Sequence, residues 1–219
     1  YRRKIMPITF HPDGRITGAT IQANVTGQLT NTGTQTGQIL ETIACMCDGR
    51  TVTVPSGSYT IADASAAQAS TTSYQTATGS EINYTPPTGT KQLVYNYEFQ
   101  FDVTSHSGLS SYLVQIDGTT ILPSQRAYSS NYASTNWNHG QMRFSAGYTF
   151  DLNAGSDNLA QGKFRHNTWT SAKTIRVRFR NYNSSYTHSL HQNTYWLGSG
   201  ASGSSQAPIK PTLYIQAIA

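Results

Sequence analysis

Two acidic residues on one predicted strand are the first candidates for acid–base chemistry. Glu98 and Asp102 lie four residues apart in an alternating segment, which puts both on the polar face of a strand. Four strand residues span about 13 Å, beyond the carboxylate separations of glycosidases, so a solvated sheet face explains the pair better. The sequence contains no nucleophile elbow, P-loop or zinc-protease motif. We therefore expect no catalytic residues, and a secreted polysaccharide-degrading enzyme is the least favoured class.

Histidines and cysteines are the candidate metal ligands. His188 and His191 lie three residues apart, but the pattern predicts a loop entering a strand with no carboxylate or thiol partner. Cys45 and Cys47 are too close along a strand for an unstrained disulfide, and two thiols without a histidine pair are too few for a structural zinc site. We expect free cysteines and no cofactor. Whether a histidine lies on a symmetry axis of an oligomer is left open.

One long segment combines aromatic and amide side chains, the mixture that carbohydrate sites use. Aromatic rings stack on the apolar faces of sugar rings, while amides and imidazoles bond the hydroxyls. The alternative is a surface loop packed against a neighbouring subunit. A second segment of this composition, residues 181–186, carries Tyr182 and Tyr186. The candidate glycan or receptor contacts of the first segment are Tyr128, Asn131, Tyr132, Asn136, Trp137 and His139.

Three arginines alternate with apolar residues near the end of the chain. Arg176, Arg178 and Arg180 share one face of a predicted strand, because alternate strand residues point the same way. Such a cationic row suits an acidic partner or a neighbouring subunit. The alternative is a solubilising face that resists stray strand pairing.

Composition limits the classes of partner. Charged residues make up 11% of the 219 residues and the formal net charge is +5, but lysine and arginine are scattered. We therefore expect no nucleic-acid partner. No stretch approaches the length of an apolar membrane span, so membrane insertion is not expected. The 14 Tyr, 7 Phe and 3 Trp supply enough aromatic area for a buried core.

The elements that must position these residues are strands. Alternation of apolar and polar residues predicts strands over 93–103, 142–152 and 175–179, with further strands over 112–116, 119–122, 191–197 and 212–219. Asp117-Gly118 predicts a type I′ hairpin turn. The end of the chain is expected to be buried or paired.

The predicted fold class is all-β, a jelly-roll-like antiparallel β-sandwich with an extended N-terminal arm. Residues 1–38 are rich in Gly, Thr and Asn with weak alternation and are assigned to the arm or stalk, whereas residues 39–219 form the sandwich domain. An additional strand pair through Ile16 and Ile21 is the alternative for part of the arm.

Several short segments carry a family resemblance. Residues 37–44, 47–54, 71–74, 84–87 and 211–215 resemble fibre-like and capsid-associated proteins of marine phages and large algal DNA viruses. The resemblance covers most of the chain from about Gly37 onward. It implies a compact β-sandwich displayed on a virion, usually trimeric and similar in outline to tumour-necrosis-factor or C1q heads.

The sequence thus predicts a virion structural protein on the outer particle surface. It would be a trimeric component of a capsid, fibre or spike that assembles with copies of itself and with other virion proteins. The alternative is a receptor-binding head that recognises host-surface glycans through the segment containing Tyr128 and Trp137.

Overall fold

The structure is a computed structural model, and it describes residues 9–10, 16–17, 36–103, 109–129, 140–192 and 208–219. The chain divides into two units, residues 1–34 and 35–219. In the first unit, β1 (Thr9–Phe10) pairs antiparallel with β2 (Ile16–Thr17), so Ile16 does lie in a strand pair. Ile21 is outside the described residues. The division between an arm of residues 1–38 and a domain of residues 39–219 stays a prediction.

Antiparallel strands build the second unit, together with two short 3₁₀ helices, Leu122–Ser124 and Leu159–Gln161. The strands are β3 (Ile39–Met46), β4 (Thr51–Val54), β5 (Gly57–Thr60), β6 (Gln68–Ala69), β7 (Gln75–Thr76), β8 (Ile82–Tyr84), β9 (Gln92–Val103), β10 (Leu109–Ile116), β11 (Thr119–Thr120), β12 (Arg126–Ser129), β13 (Gly140–Asp151), β14 (Lys173–Asn181), β15 (His188–Leu190) and β16 (Thr212–Ile218).

The strands pair in a nested order. In the first sheet, β3 pairs with β16, β16 with β9, and β9 with β13. In the second sheet, β8 pairs with β14, β14 with β10, and β10 with β12. Each pair therefore encloses the next along the chain: β3 with β16, β8 with β14, β9 with β13 and β10 with β12. Each sheet has six strands, and the four nested strands of each form the eight-stranded framework of a jelly roll, which confirms the predicted all-β sandwich.

The long strands confirm the alternation in the sequence. The strand β9 buries each of its odd-numbered residues from Leu93 to Val103, and β14 buries Ile175, Val177 and Phe179. The hairpin between β10 and β11 turns through Asp117 at φ +46° and Gly118 at φ +82°. Two consecutive positive φ values are what a type I′ turn requires, so this prediction is confirmed.

The end of the chain is also where it was predicted. Ala219 is buried, its N–H donates to the Gln38 carbonyl, and its carbonyl accepts from the Gly37 N–H.

The predicted strand over 191–197 is wrong at its start. The strand of this region is β15, and it stops at Leu190 because His191 adopts a left-handed φ of +62°. Residues 193–197 are outside the described residues.

The core consists of aromatic rings from both sheets. Tyr112 of the second sheet lies with its ring centroid 4.6 Å from Phe144 and 5.5 Å from Phe99 of the first sheet. Phe101 contacts Tyr128 at 5.0 Å across the same interlayer space. Each buried aromatic side chain contributes roughly 2–3 kcal/mol through the apolar area removed from water. These contacts hold the two layers together.

Buried tyrosine hydroxyls find carbonyl partners in one connection, the segment between β7 and β8. Tyr95 donates to the Ser80 carbonyl at 2.5 Å, and Tyr97 donates to the Thr78 carbonyl at 2.6 Å. A hydroxyl buried without a partner would cost about 1–3 kcal/mol. This connection therefore has to approach the first sheet closely, and Gly79 lies at its closest point, with Cys47 Sγ donating to its carbonyl at 3.2 Å.

We predict that Gly79→Ala destabilises the domain by about 2–4 kcal/mol, because backbone strain at a left-handed φ adds to a steric clash of the new Cβ. Gly79 has a φ of +91°, and an added Cβ would lie 2.8 Å from Cys47 Cβ. Denaturant unfolding measures the change. The matched control is Gly118→Ala, which has a φ of +82° but open space around the new Cβ, and should lose only about 1–2 kcal/mol. Equal losses in the two variants would contradict the close approach at Gly79.

Candidate functional site

The predicted arginine row lies on the outer face of the second sheet. The cross-strand partners of Arg176, Arg178 and Arg180 on β10 are Gln115, Leu113 and Ser111. Arg176 donates to Gln115 Oε1 at 2.8 Å and forms an ion pair with Glu81 at 3.1 Å. The structure therefore brings all three arginines together on one face, as the alternation predicts. Their assignment as a subunit contact stays a prediction.

The other two arginines have neutral partners among the described residues. Arg178 donates to Gln115 Oε1 at 3.3 Å and to the backbone carbonyl of Tyr74. Burial lowers the pKa of Arg178, and the neighbouring Arg176 lowers it further. Arg180 is exposed, and its guanidinium carbon lies 4.8 Å from the centre of the Tyr74 ring. Tyr74 is a member of this face that the sequence did not indicate, because it precedes a two-residue strand with no alternation of its own.

The predicted glycan segment is described only at its start. The Tyr128 ring packs against Phe101 in the interlayer core and is half-buried, which leaves less of it for stacking on a ligand. The remaining candidates lie outside the described residues, so recognition of a glycan by this segment stays a prediction. They are Asn131, Tyr132, Asn136, Trp137 and His139.

The second aromatic segment follows β14. Tyr182 is 68% exposed, and its ring centroid lies 5.9 Å from that of Tyr186 in an edge arrangement. The Tyr182 N–H donates to the Leu109 carbonyl, which continues the pairing of β14 with β10 by one residue. The alternation of the strand therefore carries through Arg178, Arg180 and Tyr182 on one face.

His188 and His191 are buried rather than part of an exposed loop. Tyr112 Oη lies 3.2 Å from His188 Nε2, and Tyr97 Oη lies 3.4 Å from His191 Nε2. Burial lowers the pKa of each histidine to about 4, opposed by a backbone hydrogen bond to Tyr186 in one case and to Thr78 in the other. Both imidazoles are thus neutral at pH 7 and serve as polar members of the aromatic core.

Glu41 is a buried carboxylate that the sequence analysis did not single out. It accepts hydrogen bonds from the Tyr84 hydroxyl, from Ser56 Oγ at 2.6 Å and from the Ser56 N–H at 3.0 Å. Ser56 Oγ is also 2.8 Å from the hydroxyl of Tyr59. These bonds tie the β4–β5 hairpin to the core. The signal in the sequence was an acidic residue among the apolar residues of a strand segment, residues 39–46.

Glu98 and Asp102 do not share a solvated face. Glu98 is half-buried and forms an ion pair with Arg143, but Asp102 is fully buried. The polar face of β9 therefore ends near Gln100, where β15 takes over from β16 as the neighbouring strand.

Burial raises the pKa of the Cys47 thiol to about 12, so this thiol is protonated at neutral pH.

Among the residues that the structure describes, no group of three or more His, Cys, Asp or Glu side chains converges as a metal site would require. None of the helices in those residues has the length and hydropathy of a membrane span.

Comparison with known proteins gives a weak structural similarity. No protein-family model matches the chain, and no curated protein matches it. A solved structure of infectious bursal disease virus, Gt strain, is 14% identical with a TM-score of 0.25, over 78% of this chain and 43% of the solved chain. The chain thus spans less than half of that solved chain, and a TM-score this low carries no argument about function. The resemblance to fibre-like and capsid-associated viral proteins stays a prediction.

We predict that acid destabilises the domain through its two buried histidines. The folded pKa of about 4 lies below the ordinary 6.5, so the unfolded chain binds protons first as the pH falls. The stability they contribute is complete above pH 6.5 and is lost progressively towards pH 4, at about 3 kcal/mol or less for each histidine. Unfolding free energies measured between pH 7 and pH 4.5 test this.

The contribution of a buried histidine is isolated by comparing the pH dependence of the unfolding free energy in two variants. His188→Gln should flatten the pH dependence of the unfolding free energy by about 2 kcal/mol, because it removes one titrating group. His166→Gln replaces an exposed imidazole and is the matched control. If the two variants show the same pH dependence, His188 is not held neutral by burial.

We predict that Tyr84→Phe destabilises the domain by about 1.5–3 kcal/mol, because it removes a donor to a buried carboxylate. Tyr74→Phe is the matched control: its hydroxyl lies 2.7 Å from the neutral Ser111 hydroxyl on the outer face, and it should cost about 1 kcal/mol or less. Thermal or denaturant unfolding measures both. A loss no larger for Tyr84→Phe than for Tyr74→Phe would show that Glu41 does not depend on this hydrogen bond.

Proposed function

We propose that this chain is a virion structural protein that assembles as a homotrimer in a capsid, fibre or spike on the outer surface of a particle. The nested jelly roll supports the proposal by analogy, since viral capsid domains share this architecture with lectin domains. The proposed role is assembly with copies of itself and with other virion proteins, and it uses neither a reaction centre nor a cofactor.

The observation that carries the proposal is the outer face of the first sheet, which we call the first outer face. Its register aligns small and weakly polar residues in rows across four strands. One row contains Ala44, Tyr214, Asn96 and Gly147. The neighbouring row contains Thr42, Gln216, Val94 and Thr149. Neither row contains a charged residue.

The first outer face also has relief. A groove of about 530 Å³ lies beside Tyr214, and its lining includes Asn96, Ser145, Thr149, Gly147 and one charged residue, Arg126. Gly147 leaves its part of this groove without a side chain. A Cβ added there would lie 2.5 Å from the Tyr95 carbonyl oxygen. A tyrosine beside a shallow polar groove is the kind of anchor that protein interfaces use, and arginine is also enriched in them.

Local ion pairs keep the remaining charge from opposing contact between copies. Glu98 pairs with Arg143 at the margin of the first outer face, and Lys210 pairs with Asp63. Like charges facing each other across an interface would be destabilising, so these two ion pairs favour self-association, whereas Arg126 donates only to the Pro123 and Gln125 carbonyls among the described residues.

The test is the mass of the protein in solution. We predict a species of about 72 kDa, three times the chain mass of 23.9 kDa, in size-exclusion chromatography with light scattering. Ala44→Glu should convert it to monomer, because the exposed Ala44 is the cross-strand neighbour of Tyr214 and the substitution places a charge in an uncharged row.

Ala66→Glu is the control, since it adds the same charge at an exposed alanine in the β5–β6 connection and should leave the trimer intact. A wild-type monomer at high concentration would contradict the trimer. A trimer that survives Ala44→Glu would contradict its placement on the first outer face.

A further inference from the structure

The outer face of the second sheet carries more positive charge than its neighbours neutralise. We call the surface formed by Tyr74, Arg178, Arg180, Tyr182 and Tyr186 the arginine–tyrosine face. Glu81 balances Arg176, but the guanidinium of Arg178 has only neutral oxygen partners among the described residues. No carboxylate of the described residues forms an ion pair with Arg180. Arg178 and Arg180 therefore have no carboxylate in direct contact among the described residues, and Glu81 acts on Arg178 only at longer range.

Arg180 is held in an extended, accessible position. Arg180 lies between Tyr74, which directly precedes β7 on one side, and Ser111 of β10 on the other. The Tyr74 hydroxyl lies 2.7 Å from the Ser111 hydroxyl, so the Tyr74 ring crosses the sheet at the level of Arg180. The guanidinium lies over this ring and is itself exposed. This cation–π contact restrains the guanidinium while leaving its N–H groups free to donate to a planar anion.

Two tyrosines extend the same face beyond the end of β14. Tyr182 follows Arg180 in the alternation of the strand and is the most exposed aromatic side chain that the structure describes. Tyr186 contacts it edge-on at 5.9 Å, which limits the motion of both rings. An exposed ring with a hydroxyl at its tip suits the apolar face of a sugar ring and its hydroxyl groups.

We propose that the arginine–tyrosine face binds an acidic saccharide, a glycan that carries carboxylate or sulfate groups. Arg178 and Arg180 would neutralise the acidic groups, and Tyr182 would stack on a neighbouring sugar ring. This inference is independent of the proposed trimer, because the face belongs entirely to one chain and lies on the opposite sheet from the first outer face.

A second copy of this chain is a poorer occupant for the face. Four described carboxylates are already engaged in ion pairs within their own chain: Asp48 with Arg50, Asp63 with Lys210, Glu98 with Arg143 and Asp117 with Lys173. Glu41 is buried among its own hydrogen-bond donors, and Asp151 and Asp157 accept hydrogen bonds from backbone or hydroxyl donors of neighbouring residues. Copies of the chain would have to disturb these contacts to supply most of the possible acidic partners.

The test uses monovalent probes, so that the oligomeric state does not alter the apparent affinity. A heparin hexasaccharide offers sulfate and carboxylate groups, an alginate hexasaccharide offers carboxylates alone, and maltohexaose is neutral. In calorimetric or interferometric titrations at low salt, we expect binding of at least one acidic hexasaccharide and none of maltohexaose. The two acidic probes then distinguish sulfate from carboxylate recognition. Binding of maltohexaose as tight as that of the acidic probes would overturn the role of charge.

The variants distinguish this face from general charge. Arg180→Gln should weaken binding about fivefold or more, and Tyr182→Ala about threefold, since each removes one direct contact. Lys163→Gln removes one charge from an exposed residue in the β13–β14 connection and should change the affinity less than twofold.

Three further results would overturn the proposal. In the first, Arg180→Gln and Lys163→Gln weaken binding equally, which would mean that only net charge matters. In the second, a single-stranded oligothymidine binds more tightly than either acidic hexasaccharide and loses affinity in Arg180→Gln. In the third, Arg180→Gln changes the mass in solution, which would make the row a subunit contact. Circular dichroism and the unfolding midpoint confirm that each variant is folded.

Discussion

The contact between the aromatic rows of β9 and β10 is the interaction on which the rest of the structure depends. Phe99 and Phe101 of the first sheet meet Tyr112 of the second within 6.2 Å, and Phe144 completes the cluster from the next strand. Neither sheet can bury its apolar face alone, so the rings must interleave for either layer to be stable. Because the strands nest pair within pair, this contact joins segments that are far apart in the sequence.

Tyrosine makes this core demanding as well as stable. Each buried hydroxyl has to meet an acceptor, and the acceptors come from the segment between β7 and β8, from Glu41 and from two neutral histidines. Burial raises the pKa of Tyr97 and Tyr112 above the ordinary range, so both remain protonated donors. The inward faces are consequently fixed by packing and hydrogen bonding, and the two outward faces are where the chain can differ. One carries uncharged rows and the other carries the arginines, which is why we assign assembly to the first and an acidic ligand to the second.

The strands of the core were predictable because each long strand has one buried and one exposed face, which imposes a period of two. The type I′ turn at Asp117-Gly118 was predictable from its residue types alone. The roles of Tyr74, Glu41 and Asp102 were not predictable, since the residues around them come from strands that are distant in sequence. Alternation along one strand does not reveal which other residues cover its faces. The same holds for the end of β15: a histidine at φ +62° breaks the strand, although its residue type gives no warning of a left-handed conformation.

Native-state hydrogen exchange followed by mass spectrometry tests whether the two sheets share one aromatic core, because it measures which segments open together. We expect the amides of β9, β10, β13 and β16 to exchange slowest and at a common rate, as one cooperative unit spanning both sheets. The β4–β5 hairpin, which is attached through Glu41 and the Tyr84 hydroxyl, should exchange faster. Exchange of β9 at the rate of the surface connections, or protection of one sheet without the other, would contradict an aromatic core shared between the two layers.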